Sequence, residues 1–268
     1  IVEGVRTAVG RAKKGTTRHL RADDMMAEVI RELMRRTEGA LAPEDVDDVE
    51  LGCAMPEGSQ GLNIARQVVL RAGLPVSVPA QTINRFCSSG LQSIATAAYR
   101  IMAGDADTII AGGLETMSLV PMTGFRISPN PTLAREDPGV YMSMGLTAEH
   151  VADEFDVSRE DQDQFAYESH MKAARAWDEG RFDGQIVPFE FEEVWIDDGT
   201  RTSRTVVFDR DEHLRPDTTP EALAKLKPVF KPGGTVTAGN SSPLSDGAAG
   251  VIIMDREKAE SLGLQPRL

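Results

Sequence analysis

The sequence predicts an α/β fold whose layered sheet is mainly parallel, is covered by helices on both faces, and is interrupted by one large insertion. Strand-like and helix-like periodicities alternate over residues 1–113. The alternation is lost over 117–246, where Pro, Gly, Met and charged residues cluster, and an apolar segment at 247–254 then resumes strand character. Strands that alternate with helices are joined by right-handed crossovers, which place them side by side and parallel.

The alternating part contains a regular series of predicted elements. The first helix carries Asp23 and Asp24 in its first turn and Arg35 and Arg36 in its last turn, as the helix dipole favours. The elements are, in order, a strand over 1–5, a helix over 23–36, a strand over 49–53, a helix over 62–72, a strand over 80–86, a helix over 88–102 and a strand over 107–113.

The inserted part is predicted to contain at least one helix, over 158–178. Ser158 precedes this helix and Asp161 follows three residues later, an arrangement typical of a helix N-terminus. A further element begins at 256–262, after the returning strand. We therefore expect two domains, one formed by residues 1–116 and 247–268 and the other, an inserted loop domain, formed by 117–246.

Composition and charge argue against several classes of partner. The formal net charge is −13, which disfavours binding to nucleic acid or to an anionic membrane surface. No apolar run reaches the roughly 18 residues that span a membrane, and residues 1–18 lack the apolar core of a signal peptide, so we expect a cytoplasmic protein. An anionic ligand would need local basic groups, and one segment concentrates them: Arg210, Arg215, Lys225, Lys227 and Lys231.

Two cysteines, Cys53 and Cys87, and four scattered histidines indicate neither a disulfide framework nor a metal site. Cys53 is interpreted as a core residue. Cys87 lies where the strand over 80–86 meets the helix over 88–102; a helix N-terminus favours a thiolate, and its N–H groups can stabilise an oxyanion. Gly90, just beyond, would let another backbone approach. By itself such a position more often holds a small buried side chain, so both interpretations of Cys87 remain open.

A base that could activate Cys87 is not evident in the sequence. None of the four histidines, His19, His150, His170 and His213, lies in a recognisable catalytic setting. If Cys87 is a nucleophile, we expect its base to come from elsewhere.

Three segments resemble motifs of one enzyme family, the thiolases. Residues 84–92, Asn-Arg-Phe-Cys-Ser-Ser-Gly-Leu-Gln, are similar to the family's acyl-accepting cysteine motif. Residues 112–118, Gly-Gly-Leu-Glu-Thr-Met-Ser, resemble the Gly-Gly-x-Glu-x-Met-Ser segment one βα unit later. Residues 234–242, Gly-Thr-Val-Thr-Ala-Gly-Asn-Ser-Ser, running into 246–249, are similar to the stretch along the pantetheine arm. All three occur in the family's order and at its spacing.

The resemblance implies a thiolase-like layered fold. This chain would be its N-terminal βαβαβαββ half with a large inserted loop domain that covers coenzyme A, and the C-terminal half would be absent from this sequence. Carried over by position, Cys87 is the nucleophile that accepts the acyl group. The positions that would contact coenzyme A are Met144, Arg215, Leu226, Phe230, Ala238, Ser242 and Leu244.

The function implied is that of an acyl-CoA C-acyltransferase. It would cleave 3-ketoacyl-CoA with coenzyme A to acetyl-CoA and a shortened acyl-CoA, as in fatty-acid β-oxidation; Cys-Ser-Ser-Gly-Leu-Gln looks more like the degradative members. The alternatives are an acetyl-CoA C-acetyltransferase and a non-catalytic acyl-CoA-binding half that needs a separate chain.

The resemblance also implies how the protein would assemble and what it would lack alone. The family's catalytic histidine and second cysteine belong to the C-terminal half, so this chain alone is expected to be inactive. Coenzyme A and acyl-CoA are expected as substrates with no permanently bound cofactor and no metal. The expected assembly is a homodimer or homotetramer.

Overall fold

The computed structural model describes residues 1–267, which form two compact units. The first unit contains Ile1–Phe125, Asp183–Glu212 and the residues from Ser245 onward; the second contains Arg126–Phe182 and His213–Leu244. This division differs from the predicted domain boundaries chiefly because 183–212, which lies within the expected insertion, packs with the first unit.

A mixed sheet forms the centre of the first unit. The strands of the chain are β1 Glu3–Arg6, β2 Gly10–Arg11, β3 Asp48–Gly52, β4 Ala80–Ile83, β5 Thr108–Thr116, β6 Phe189–Asp197, β7 Thr200–Phe208 and β8 Ser245–Met254. The six-stranded sheet has the order β1-β8-β5-β3-β4, with β2 also paired to β8. Only β3 pairs in parallel, with β4 and β5, whereas β8 is antiparallel to β1, β2 and β5.

The expectation of a mainly parallel sheet is therefore wrong, because three of the five strand pairings are antiparallel. The strand that follows the insertion is not reached through a βα crossover, and it runs back along β5 in the opposite direction. Parallel pairing requires a crossover connection, so the alternating pattern could predict it only for β3, β4 and β5.

The four helices predicted from periodicity agree with helices of the structure to within two residues at each end, whereas three further helices of the second unit were not predicted. The helices of the chain are α1 Ala22–Arg36, α2 Ile64–Ala72, α3 Ser89–Met102, α4 Pro131–Glu136, α5 Met144–Glu154, α6 Arg159–Asp178, α7 Pro220–Ala224 and α8 Arg256–Ser261. Helix α2 starts two residues later than predicted because the Asn63 side chain caps it by accepting a hydrogen bond from the Arg66 N–H. Within residues 1–267, no helix is long and apolar enough to cross a membrane.

Both faces of the sheet are covered by apolar side chains. Along β5, Ile110 belongs to a cluster formed with α1 and α2, whereas Ile109 and Ala111 belong to a second cluster that includes Ala97 of α3. Successive strand residues point to opposite faces, so α3 packs on the face opposite α1 and α2. This arrangement, predicted from the alternation of strands and helices, puts the start of α3 at the end of β3.

A β-hairpin formed by β6 and β7 was not predicted. The two strands pair in register from Phe189–Phe208 to Asp197–Thr200, and the turn residues Asp198 and Gly199 have φ of 45° and 79°. Such a turn requires positive φ at both central positions, which Asp-Gly supplies. The signal was present in the sequence as Asp-Gly between two runs of alternating character.

Candidate active site

Cys87 lies in a short turn between a strand and a helix. Strand β4 ends at Ile83, a single 3₁₀ turn spans Phe86–Ser88, and α3 begins at Ser89. The Cys87 side chain is exposed, which removes the alternative that it is a small buried residue. The Ser88 side chain does not cap α3 but donates to the Arg85 carbonyl oxygen at 2.9 Å, so it leaves the first N–H groups of the helix to other partners.

Backbone contacts without intervening side chains hold the start of α3 against the sheet. A Cβ atom on Gly52, at the end of β3, would lie 2.3 Å from the Ser89 carbonyl carbon, so only glycine fits. A Cβ on Gly113 of β5 would lie 3.3 Å from the Cα of Gly90. A Cβ on Gly90 itself would meet nothing nearer than 3.9 Å, so the expectation that Gly90 permits the close approach is wrong, and Gly52 has that role.

The backbone of the turn is held in an uncommon conformation. Phe86, the residue before Cys87, has φ of 46°, in the left-handed region that non-glycine residues rarely adopt. Its N–H donates to the Asn84 side-chain oxygen at 2.9 Å, and its carbonyl accepts from the Ser89 hydroxyl at 2.6 Å. Side chains on both sides of Cys87 therefore fix the turn that presents the sulfur.

Cys53 differs from Cys87 in being buried. It is only 1% exposed, as the sequence predicted for a core residue. Burial, and secondarily the negative charge of Glu115, raise the pKa of the Cys53 thiol to about 12. Because the thiolate is the nucleophilic form, Cys53 is inert at neutral pH.

The positions expected to contact coenzyme A all belong to the second unit, and all are exposed. They are Met144, Arg215, Leu226, Phe230, Ala238, Ser242 and Leu244. Two local groupings are present. The Phe230 ring lies against Gly145, next to Met144, where a Cβ would come within 2.2 Å of the ring, and Leu226 lies against Gly239, next to Ala238. Arg215 lies on another segment, where its N–H donates to His170 Nδ1 at 3.4 Å.

Two buried carboxylates hold the loop that contains Ala238 and Ser242. Glu149 of α5 is 2% exposed and accepts from the Thr235 and Val236 N–H groups at 2.9 Å. Asp163 of α6 accepts from the Asn240 amide at 3.0 Å. These contacts join residues 86 and 77 positions apart, so no local sequence pattern marks them.

The predicted basic segment is divided between the two units. Arg210 belongs to the first unit, and Arg215, Lys225, Lys227 and Lys231 belong to the second. Lys231 pairs with Asp153 of α5 at 2.5 Å. Arg215, Lys225 and Lys227 are exposed and are the positive groups of this segment that an anionic ligand could meet in the second unit.

The described contact of His170 is with a backbone N–H group. Burial, followed by the positive charge of Arg215, lowers the pKa of His170, which favours the neutral ring that accepts from the Arg215 N–H. The hydrogen bond between Arg215 and His170 orients the backbone at Arg215. Neither cysteine belongs to the second unit, which contains His170.

Comparison with known proteins gives consistent matches over the whole chain. The family model described as "Thiolase, N-terminal domain" matches residues 1–257. The 3-ketoacyl-CoA thiolase of Bacillus subtilis (strain 168) is 54% identical over 267 residues, which cover 99% of this chain and 68% of that protein. The 3-ketoacyl-CoA thiolase of Saccharophagus degradans is 45% identical over 267 residues, covering 99% of this chain and 66% of that protein.

A solved structure matches the fold. The crystal structure of the Bacillus anthracis acetyl-CoA acetyltransferase superposes with a TM-score of 0.85 at 38% identity, covering 99% of this chain and 67% of that one. The chain thus spans about two thirds of the length of the relatives that it matches.

Proposed function

The chain belongs to the thiolase family, of which it forms the N-terminal domain, and from that membership we propose that the protein is an acyl-CoA C-acyltransferase with Cys87 as its nucleophile. The reaction is the cleavage of a 3-ketoacyl-CoA by coenzyme A to acetyl-CoA and a shortened acyl-CoA. The proteins named 3-ketoacyl-CoA thiolase, at 44–54% identity, support this substrate class.

The proposed reaction proceeds through an acyl-cysteine. The Cys87 thiolate attacks the ketone carbon of the 3-ketoacyl-CoA, and the bond from that carbon to its neighbour on the thioester side breaks. The acyl group stays on sulfur, and the released electron pair forms the enolate of acetyl-CoA, which takes up a proton. The thiol of free coenzyme A then attacks the acyl-cysteine, releasing the shortened acyl-CoA and restoring Cys87. The base and acid are the histidine and second cysteine that the resemblance assigns to the C-terminal half.

One observation carries the proposal: Cys87 is exposed in the turn between β4 and α3. The Ser88 side chain does not cap α3, and the Ser89 N–H donates to the Phe86 carbonyl. The positive end of the α3 dipole favours negative charge on the sulfur or on the attacked carbonyl oxygen. The other cysteine is buried and un-ionised, so the described part of the chain offers no second thiol nucleophile.

Coenzyme A is proposed to lie on the second unit, along the loop held by Glu149 and Asp163. Exposed apolar side chains at Met144, Leu226 and Phe230 suit the adenine ring and the pantetheine arm, and Arg215 suits the phosphates. Coenzyme A is a substrate here and not a permanent cofactor.

Mass spectrometry of the complete protein tests the assignment. The protein is mixed with a 3-ketoacyl-CoA, quenched in acid and digested, and the acyl group is expected on the peptide that contains Cys87. An acyl group on another residue, or no adduct in a protein that does turn over, would rule out Cys87 as the nucleophile. Cys87→Ser should abolish both adduct and turnover.

A second candidate is an acetyl-CoA C-acetyltransferase that acts on acetoacetyl-CoA. The structural match to the Bacillus anthracis acetyl-CoA acetyltransferase supports it. Thiolysis rates with acetoacetyl-CoA and with a long-chain 3-ketoacyl-CoA separate the two: comparable or higher kcat/KM on the long chain is expected for the first proposal. We further propose a role in fatty-acid β-oxidation, cytoplasmic localisation and a homodimeric or homotetrameric assembly.

A further inference from the structure

A continuous series of hydrogen bonds connects a carboxylate on β5 to the turn that carries Cys87. Glu115 Oε2 accepts from the Ala54 N–H at 2.7 Å, and the Ala54 carbonyl accepts from Asn84 Nδ2 at 3.1 Å. Asn84 Oδ1 then accepts from the Phe86 N–H at 2.9 Å. The series passes from β5 through the loop after β3 to the residue that precedes the nucleophile.

The Glu115 position requires a group that only accepts hydrogen bonds. Its second oxygen accepts from Gln60 Nε2 at 2.5 Å. Gln60 cannot turn its amide over, because its Nε2 also donates to the Met55 carbonyl at 2.9 Å and its Oε1 accepts from the Thr116 N–H. Gln60 is fully buried, so these partners are not replaced by bulk water. A glutamine at 115 would therefore set an NH₂ group against either Gln60 Nε2 or the Ala54 N–H.

The Asn84 side-chain amide forms two hydrogen bonds of this series, one through its nitrogen and one through its oxygen. Its NH₂ group holds the loop after β3, and its oxygen holds the Phe86 N–H in the left-handed conformation. Such a backbone conformation is unfavourable in a non-glycine residue and persists only where the surroundings enforce it. The Phe86 ring is exposed, so apolar packing does not enforce it.

We propose that Glu115 and Asn84 are positioning residues for Cys87, which act by holding the left-handed turn at Phe86 and thereby the direction of the sulfur. This inference rests on the proposed role of Cys87 as nucleophile. Neither residue is assigned a contact with substrate; both act through the backbone of the turn.

Four variants of the complete protein test the proposal. E115Q replaces one of the two carboxylate oxygens, which accept from Ala54 and Gln60, with an NH₂ group. N84A removes both Asn84 contacts, whereas N84D keeps an acceptor for the Phe86 N–H and loses the donor to Ala54. E50Q is the matched control: Glu50 is a fully buried carboxylate on β3, one of whose oxygens has no partner and the other of which accepts from Arg100 at 3.1 Å.

Hydrogen exchange followed by mass spectrometry tests the network without reference to activity. E115Q and N84A are expected to speed exchange in peptides that cover residues 54–56 and 84–88, while peptides from α1 keep the wild-type rate. In E50Q the two site peptides should exchange as in the wild type. Unchanged exchange of the 84–88 peptide in both E115Q and N84A would overturn the proposal.

Steady-state kinetics test the consequence for catalysis. A sulfur misplaced by about 1 Å can cost on the order of 100-fold in rate. E115Q and N84A are therefore expected to lower kcat about 10- to 100-fold, with KM for acyl-CoA changed less than about 2-fold, and N84D should recover part of the N84A loss. A kcat for E115Q no lower than that of E50Q, or a loss confined to KM, would overturn the proposal.

The two proposals fail in different ways. If the wild-type protein forms no acyl-Cys87 adduct, the proposed function is wrong, and hydrogen exchange still decides whether the network holds the turn. If the adduct forms in the wild type and forms at the wild-type rate in E115Q and N84A, the function stands and the positioning role is wrong.

Discussion

At the scale of single residues, the two cysteines show how position determines reactivity. Cys53 and Cys87 follow β3 and β4, neighbouring strands that pair in parallel, so both lie near the same edge of the sheet. One is packed in the core beside Glu115, and the other is carried outward by the turn before α3. The difference comes from the backbone path after each strand, and the residue type has no part in it.

Alkylation should therefore distinguish the two thiols. At pH 8 only about one Cys53 thiol in 10⁴ would be ionised, given a pKa of about 12, and the side chain is buried as well. We expect iodoacetamide to modify Cys87 in the native protein and to leave Cys53 unmodified, as measured by peptide mapping. In denaturant both should react. Native labelling of Cys53 at a rate comparable to Cys87 would contradict the structure.

Gly52 packs directly against the start of α3, next to the turn that contains Cys87. In Gly52→Ala the new methyl group meets backbone atoms of Ser89 and Gly90 at 2.3–2.6 Å, and these cannot rotate away. We expect a loss of about 1–3 kcal/mol in the free energy of unfolding, measured in urea, together with a lower kcat.

Gly90→Ala provides the comparison, since its methyl group has space and alanine favours a helix by about 1 kcal/mol over glycine. Equal stability losses in the two variants would show that the close approach lies elsewhere.

At the scale of elements, the sequence predicted those with a strong internal period and missed those defined by distant partners. The apolar stripes of α1 and α3 sufficed to place both helices to within one residue. The last residues predicted for the third strand, 84–86, lie instead in the turn that leads to Cys87. The Phe86 N–H donates to the Asn84 side chain and is therefore not available for pairing with a neighbouring strand. Helix α5 was missed because its apolar residues show little periodicity and its two buried residues, Glu149 and Ala152, do not form an apolar stripe.

Glu149 also holds the loop over 234–242 through hydrogen bonds from the Thr235 and Val236 N–H groups. Its removal from water raises the pKa of Glu149, but the N–H groups of Thr235 and Val236 lower it by more, so the net pKa lies below the usual 4.5. A carboxylate whose pKa is lowered by folding stabilises the folded state at a pH above its unfolded-state pKa. This stabilisation is lost as the pH falls through the lowered, folded-state pKa.

We therefore expect Glu149→Gln to cost about 1–3 kcal/mol near neutral pH and to show a smaller further loss below pH 4.5 than the wild type, as followed by thermal unfolding. The variant should also raise KM for coenzyme A more than it lowers kcat. Glu154→Gln, an exposed position on the same helix, is the control. Parallel acid profiles for the wild type and Glu149→Gln would contradict the assignment.

At the scale of the whole molecule, the family resemblance predicted more than the periodicity did. Three motifs were enough to identify the family and the nucleophile candidate, and the layered sheet followed from them. The assignment of 183–212 to the first unit could not be read from the sequence, since it depends on contacts such as that of Arg6 with Asp211 at 2.8 Å, 205 positions apart. Long-range ion pairs of this kind leave no local trace.

The net charge of −13 sets a further expectation for an anionic substrate. Overall repulsion is largely screened beyond about 10 Å at 0.1 M salt, so local groups decide binding there. Arg215→Gln should raise KM for coenzyme A by about 2- to 5-fold at 0.1 M salt, the effect of one exposed charge contact. Arg135→Gln, another exposed arginine of the second unit, should leave KM unchanged. Equal KM values for the wild type and Arg215→Gln would exclude Arg215 as a phosphate contact.

The pairing of β5 with β8 has a consequence for biosynthesis. The two strands pair along their whole length although Thr116 and its partner Asp246 are 130 positions apart. At about 5–20 residues per second, a ribosome needs on the order of 10 s to deliver β8 after β5. During that interval the edge of β5 that β8 later covers has unpaired N–H and C=O groups, which can pair with another chain, so aggregation is favoured most at this stage of synthesis.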